Sequence, residues 1–135
     1  MRIIGHGIDV VEVARIKAEL ESPTKKWAEK VYSKDEREQA DHPPKDARYF
    51  AGRYAGKEAV AKALGTGFSG TVTWKGIEIL RLPSGAPMVQ LSGGALELAQ
   101  TLGVTGWVIS ISHCGRLSTA SAIAFGVSLD HGADQ

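Results

Sequence analysis

The sequence predicts an α+β fold in which a mostly antiparallel sheet packs against one long helix. Residues 46–64 contain no proline, are rich in alanine and stop at Gly65, the residue type expected just past a helix end. Strand-like segments come in pairs around short turns instead of alternating strictly with helices, so neighbouring strands run antiparallel. With 135 residues, 43% of them apolar, the chain has material for one core. We expect a single domain over residues 1–127 and a polar tail over 128–135.

Residues 2–8 read as a strand with Ile4, His6 and Ile8 on one face and Ile3, Gly5, Gly7 and Asp9 on the other. The second face is nearly bare, which admits close approach by another element. From Val10 the period becomes helical, with Val13, Ile16 and Leu20 in step, and Asp9 with Glu12 forms a capping-box-like start. Pro23 ends that helix. Trp27 and Val31 suggest a further turn or two, and Ser33 with Glu36 reads as another cap before the break at Pro43 and Pro44. After the long helix, residues 71–82 and 88–91 read as strands joined by a turn at 83–87. Ser92 is placed to cap a helix through Leu102 that stops at Gly103, and residues 107–113 and 119–127 form a last strand pair around the loop 114–118.

The 16 basic and 15 acidic residues leave a net charge of +1 and are spread along the chain, so no large cationic surface points to nucleic acid. No apolar run approaches the roughly 20 residues that span a bilayer, and no leader-like stretch opens the sequence, so we expect a cytoplasmic protein. Cys114 is the only cysteine, which removes intramolecular disulfides and thiolate metal clusters.

Four constellations could carry chemistry. Gly65-Thr66-Gly67-Phe68-Ser69-Gly70 matches the dinucleotide fingerprint, but a helix precedes it and a strand follows, the reverse of what that fingerprint needs. On the long helix, Tyr54, Glu58 and Lys62 share one face with Arg53 and Lys57 beside them, while Gly52, Ala55, Gly56, Ala59 and Ala63 make the opposite side small. Taken alone, that charged face also suits an ordinary solvated helix. Asp9 suits a plain helix cap, or, joined by Glu58, two carboxylate ligands for a hard divalent cation such as Mg2+. His113 precedes Cys114, but adjacent strand residues face opposite ways, so the two do not form a nucleophilic pair. His6, His42 and His131 show no metal-ligand spacing and read as structural or exposed.

Three segments together resemble the holo-[acyl-carrier-protein] synthase family, the small trimeric group of phosphopantetheinyl transferases. They are Gly7-Ile8-Asp9-Val10-Val11-Glu12-Val13-Ala14-Arg15-Ile16, the run from Phe50 through Lys57-Glu58-Ala59 to Leu64-Gly65-Thr66-Gly67, and Ser110-Ile111-Ser112-His113. The resemblance implies the 4'-phosphopantetheinyl transferase fold and transfer of 4'-phosphopantetheine from coenzyme A to a serine of apo acyl carrier protein, releasing adenosine 3',5'-bisphosphate, in fatty-acid biosynthesis. It implies Asp9 and Glu58 as Mg2+ ligands and Lys62 as a cation for the phosphate. Arg53, Tyr54, Lys62, Gly65, Gly67 and His113 would line the coenzyme A site, and Arg15 would dock the acidic helix of the carrier. The proton of the carrier serine would go to Glu58 or to water on the metal. Glu12, Glu19 and Glu21 make the docking helix less cationic than an acidic partner favours. The family's trimers share sites between subunits, and the strand faces around Ile4 and Ile123 are the expected interface. Two other functions fit the same residues: a coenzyme A-binding module without transfer, and a metal-dependent phosphoester hydrolase.

Overall fold

Small residues decide where the long helix lies. The computed structural model describes residues 1–40 and 46–127. Its elements are β1 (Arg2–Glu12), α1 (Val13–Leu20), α2 (Lys26–Val31), α3 (Lys34–Glu38), α4 (Ala47–Leu64), β2 (Ile77–Arg81), β3 (Pro87–Leu91), α5 (Gly93–Leu102), β4 (Gly106–Cys114) and β5 (Leu117–Gly126). The expected α+β class holds. One antiparallel sheet has the strand order β1-β5-β4, and β2 and β3 form a separate antiparallel pair.

Helix α4 crosses the inner face of the three-stranded sheet at very short range. A side-chain carbon at Gly5 or Gly7 of β1 would overlap the carbonyl oxygens of Ala63 and Ala59. On the helix side, Gly52 meets Ile111 and His113, and Gly56 meets Ile79 and Ile109. The bare strand face and the small helix face therefore fit each other, as the spacing suggested. Between Tyr49 and Leu64 only Glu58 and Lys62 escape burial. Two polar residues thus break an otherwise sealed helix.

Several local features depart from the sequence reading. The strand does not hand over to a helix at Asp9: β1 runs on to Glu12, because β5 continues the ladder through Asp9↔Ala120, Val10↔Thr119 and Val11↔Ser118. Glu12, not Asp9, precedes α1 and makes no side-chain cap; the Val13 N–H instead donates to the Arg116 carbonyl at 2.8 Å. A register shift between Ile3 and Gly5 moves Ile3 to the exposed face and leaves Ile4 half-buried against Gly126, so Ile4 does not share the outer face with Ile8 and Ile123. Residues 71–76 are not strand. There the Gly76 N–H turns back to Thr73, and the Trp74 and Ile77 carbonyls point at Lys57. Ser92 precedes α5 but makes no side-chain cap.

The Ser33 cap does form, in full: its hydroxyl accepts from the Glu36 N–H, and Glu36 Oε1 accepts from the Ser33 N–H at 2.9 Å. Gly65 ends α4 in a left-handed conformation with φ of 87°. Pro43, Pro44, His42, His131 and the expected tail lie outside the described residues.

Candidate active site

Continuing β1 past Asp9 frees its carboxylate from capping and leaves it on the inner face, beside the exposed flank of α4. There Lys62 Nζ stands 3.2 Å from Asp9 Oδ1 and donates to the Ile8 carbonyl at 3.0 Å. Glu58, one turn before Lys62, completes the group. Burial pushes its carboxyl above the usual carboxylate range and the charge of Asp9 adds to this, while Lys62, the Tyr54 hydroxyl and Arg15 pull it back only in part. The charge of Asp9 opposes ionisation of Glu58 at a half-buried edge, where an added cation would be favoured. Among the described residues no three His, Cys, Asp or Glu side chains form a ready cage. Two carboxylates with remaining positions left to solvent and substrate oxygens fit Mg2+ chemistry better than a closed structural site.

Tyr54 joins this group. Its ring stacks with Trp27 and Trp74, with centroids 5.9 and 5.1 Å away, and its hydroxyl reaches Glu58 Oε2 at 3.5 Å. Arg15 lies over the same ring at 5.1 Å and donates to the hydroxyl at 3.1 Å. The expected docking arginine is therefore tied by one tyrosine to the expected metal glutamate.

Arg53 and His113 lie elsewhere. They line a cleft of about 330 Å³ with Asp46, Arg48, Tyr49, Arg81 and Gly85, and none of Asp9, Glu58 and Lys62 lines it. Arg53 is 8% exposed, stands 4.5 Å from the Tyr49 ring centre and leaves its Nε without a hydrogen-bond partner. The His113 Nδ1 is 2.7 Å from the Ser118 hydroxyl, and burial with Arg48 and Arg53 holds the imidazole below its ordinary value. Such a cationic cleft suits a phosphate. Gly65 and Gly67 both take positive φ, 87° and 61°, in the loop after α4, and the space where their side chains would stand is open.

Lys57 corrects the sequence picture most. Expected beside Glu58 on a charged face, it is fully buried and pairs with Glu36 at 2.8 Å, both side chains 0% exposed. Its remaining protons go to the Trp74 and Ile77 carbonyls, and Glu36 Oε2 takes the Ile79 N–H at 2.8 Å. Sequence reasoning also missed Arg48 and Gly85 of the cleft and the Phe68–Trp74 stack behind Tyr54. A lysine following Ala55-Gly56 on the small face was the one available sign for Lys57.

With this geometry in place, comparison with known proteins is decisive. Residues 5–112 match the family described as the 4'-phosphopantetheinyl transferase superfamily. The chain belongs to that superfamily. It is 46% identical over 121 residues to a holo-[acyl-carrier-protein] synthase of Natranaerobius thermophilus, covering 90% of this chain and 96% of the relative. A holo-[acyl-carrier-protein] synthase of Maridesulfovibrio salexigens is 48% identical over 123 residues, covering 90% and 95%. Among solved structures, Helicobacter pylori holo-[acyl-carrier-protein] synthase in complex with coenzyme A superposes with a TM-score of 0.79 at 28% identity, covering 89% of this chain and 99% of that one. The resemblance read from the three segments, the fold it implied and the expectation of an enzyme are borne out. The described residues include no helix long and apolar enough to cross a membrane.

Proposed function

We propose that the protein transfers 4'-phosphopantetheine from coenzyme A to a serine of apo acyl carrier protein, releasing adenosine 3',5'-bisphosphate, as a cytoplasmic step of fatty-acid biosynthesis. The observation that carries this reading is the meeting of Asp9, Glu58 and Lys62 at the open edge of a buried helix, in a chain whose relatives include a coenzyme A complex. Bound there, Mg2+ would neutralise charge on the pyrophosphate under attack. Asp9 and Glu58 would hold it. Lys62 would set its ammonium against the developing phosphate charge. Glu58, with its raised affinity for a proton, suits acceptance of the serine proton.

Arg53, Arg48 and His113 would grip a phosphate of coenzyme A, and Gly65 and Gly67 would let its chain approach the backbone. Because the cleft and the carboxylates share no lining residue, a site completed by a neighbouring subunit accounts for both. The outer sheet face supports assembly: Ile3, Ile8, Val10 and Val108 are each more than half exposed, beside Ile123. We assign this face to a homotrimer.

Incubation of apo acyl carrier protein with the protein and coenzyme A, with Mg2+ or with excess EDTA, tests the reading by intact mass. A gain of roughly 340 Da, one phosphopantetheine group, is expected with metal only. Coenzyme A binding without any gain would leave a binding module, and hydrolysis of coenzyme A without a carrier would leave a hydrolase.

A further inference from the structure

Lys62 already holds the position at Asp9 that a metal ion would need. Its ammonium sits 3.2 Å from Asp9 Oδ1 and 3.0 Å from the Ile8 carbonyl oxygen, with Glu58 on the preceding turn of α4. One carboxylate oxygen and one backbone oxygen are the hard donors that Mg2+ prefers. The Lys62 side chain is 51% exposed and Asp9 only 17%. The carboxylate is therefore fixed and the cation is free to leave, since an ion pair with so exposed a partner is weak.

We propose that Lys62 is an internal stand-in for the metal: its ammonium occupies the cation position at Asp9 until a divalent ion displaces it, and the freed ammonium then serves the phosphate. The inference rests on the metal reading above and adds an order of events to it. No covalent bond forms or breaks in the exchange: the hydrogen bonds of the ammonium to Asp9 and the Ile8 carbonyl give way to coordination of the ion by Asp9. Asp9 is spared an uncompensated charge in the metal-free protein, while Lys62 offsets the strain on Glu58 only in part. Metal and phosphate also become linked, because a phosphate that takes up the ammonium clears Asp9 for the ion, and the ion in turn releases the ammonium to the phosphate. Lys62 thus weakens metal binding when no phosphate is present.

Mn2+ titration followed by electron paramagnetic resonance, without coenzyme A, reads this directly in the full chain. Lys62→Met, which keeps the stem and removes the charge, should bind Mn2+ about three- to fivefold more tightly than wild type. Asp9→Ala should lose the site. In wild-type protein labelled with ¹⁵N-lysine, the Lys62 ammonium resonance should move on saturation with Mg2+. Equal or weaker Mn2+ binding by a folded Lys62→Met, with Asp9→Ala still losing the site, would overturn the exchange and spare the metal assignment. So would a Lys62 resonance that stays in place, since a bystander cation would remain at Asp9. Absence of Mn2+ binding in wild type and both variants would overturn the exchange and the metal assignment together.

Discussion

Lys57 and Glu58 are adjacent on α4, yet the first is sealed in a fully satisfied ion pair and the second stands in a half-buried group whose charges oppose each other. Around Lys57, every strong donor and acceptor is used: Glu36, two backbone carbonyls, the Ile79 N–H and the Ser33 cap. Burial raises the Glu36 carboxyl and lowers the Lys57 ammonium, and the hydrogen bonds oppose both shifts. That pair ties α3, α4 and β2 together. Around Glu58 the balance is left incomplete, and Asp9 gains its only ion-pair contact among the described residues from an exposed lysine. A satisfied buried network maintains a fold, whereas a carboxylate with a raised proton affinity at an open edge is a candidate for ligand binding.

Removing one partner of the sealed pair should have the largest effect. Lys57→Met leaves Glu36 charged and buried, and we expect a loss of about 3–5 kcal/mol in denaturant unfolding. A loss under about 1 kcal/mol would show the pair open to water. The reverse is expected at the edge. Asp9→Ala and Glu58→Ala should cut transfer by about 10²–10³-fold while leaving the melting temperature nearly unchanged, because the Asp9–Lys62 pair has an exposed partner and Glu58 sits against the charge of Asp9. Wild-type transfer by either variant would end the metal assignment.

Smaller effects sharpen the picture. Arg15→Ala should weaken the carrier about tenfold, seen as a raised KM for the carrier with the KM for coenzyme A unchanged. Since Arg15 also holds the Tyr54 hydroxyl, an effect on kcat alone would assign it to positioning Glu58 instead. The smallest effect concerns His113. The native protein binds its proton less readily than the unfolded chain, so its contribution to stability is complete above about pH 6.5 and is lost as pH falls below that value. A phosphate in the cleft reverses the sign of the local charge. Adenosine 3',5'-bisphosphate should therefore raise the His113 midpoint in an NMR titration, and a fixed midpoint would detach the cleft from coenzyme A.

Much of this was legible beforehand. Gly5, Gly7, Gly52 and Gly56 announced a close helix–sheet contact because the missing side chains leave room that something must fill. Gly65 announced the end of α4, and Ser33 with Glu36 announced a cap. The spacing of Tyr54, Glu58 and Lys62 placed them on one flank, and they remain there. Asp9 was legible as a candidate site residue at a strand end, whereas the run of that strand on to Glu12 was not. Its local sequence favours a cap, and the ladder to β5 overrules it with a partner more than 100 positions away.

From periodicity, turn chemistry and three short segments come the fold class, the long helix, the family and the candidacy of Asp9, Glu58 and Lys62, because each depends on residues close together in the chain. Which charges are buried, which flank meets which strand, and that Lys57 belongs to the core while its neighbour Glu58 stands at the open edge follow only once β1, α3, α4 and the β2–β3 pair are packed. Burial and pairing are set by contacts across the sheet and between layers, and no local pattern of residues encodes the dielectric in which a side chain will sit.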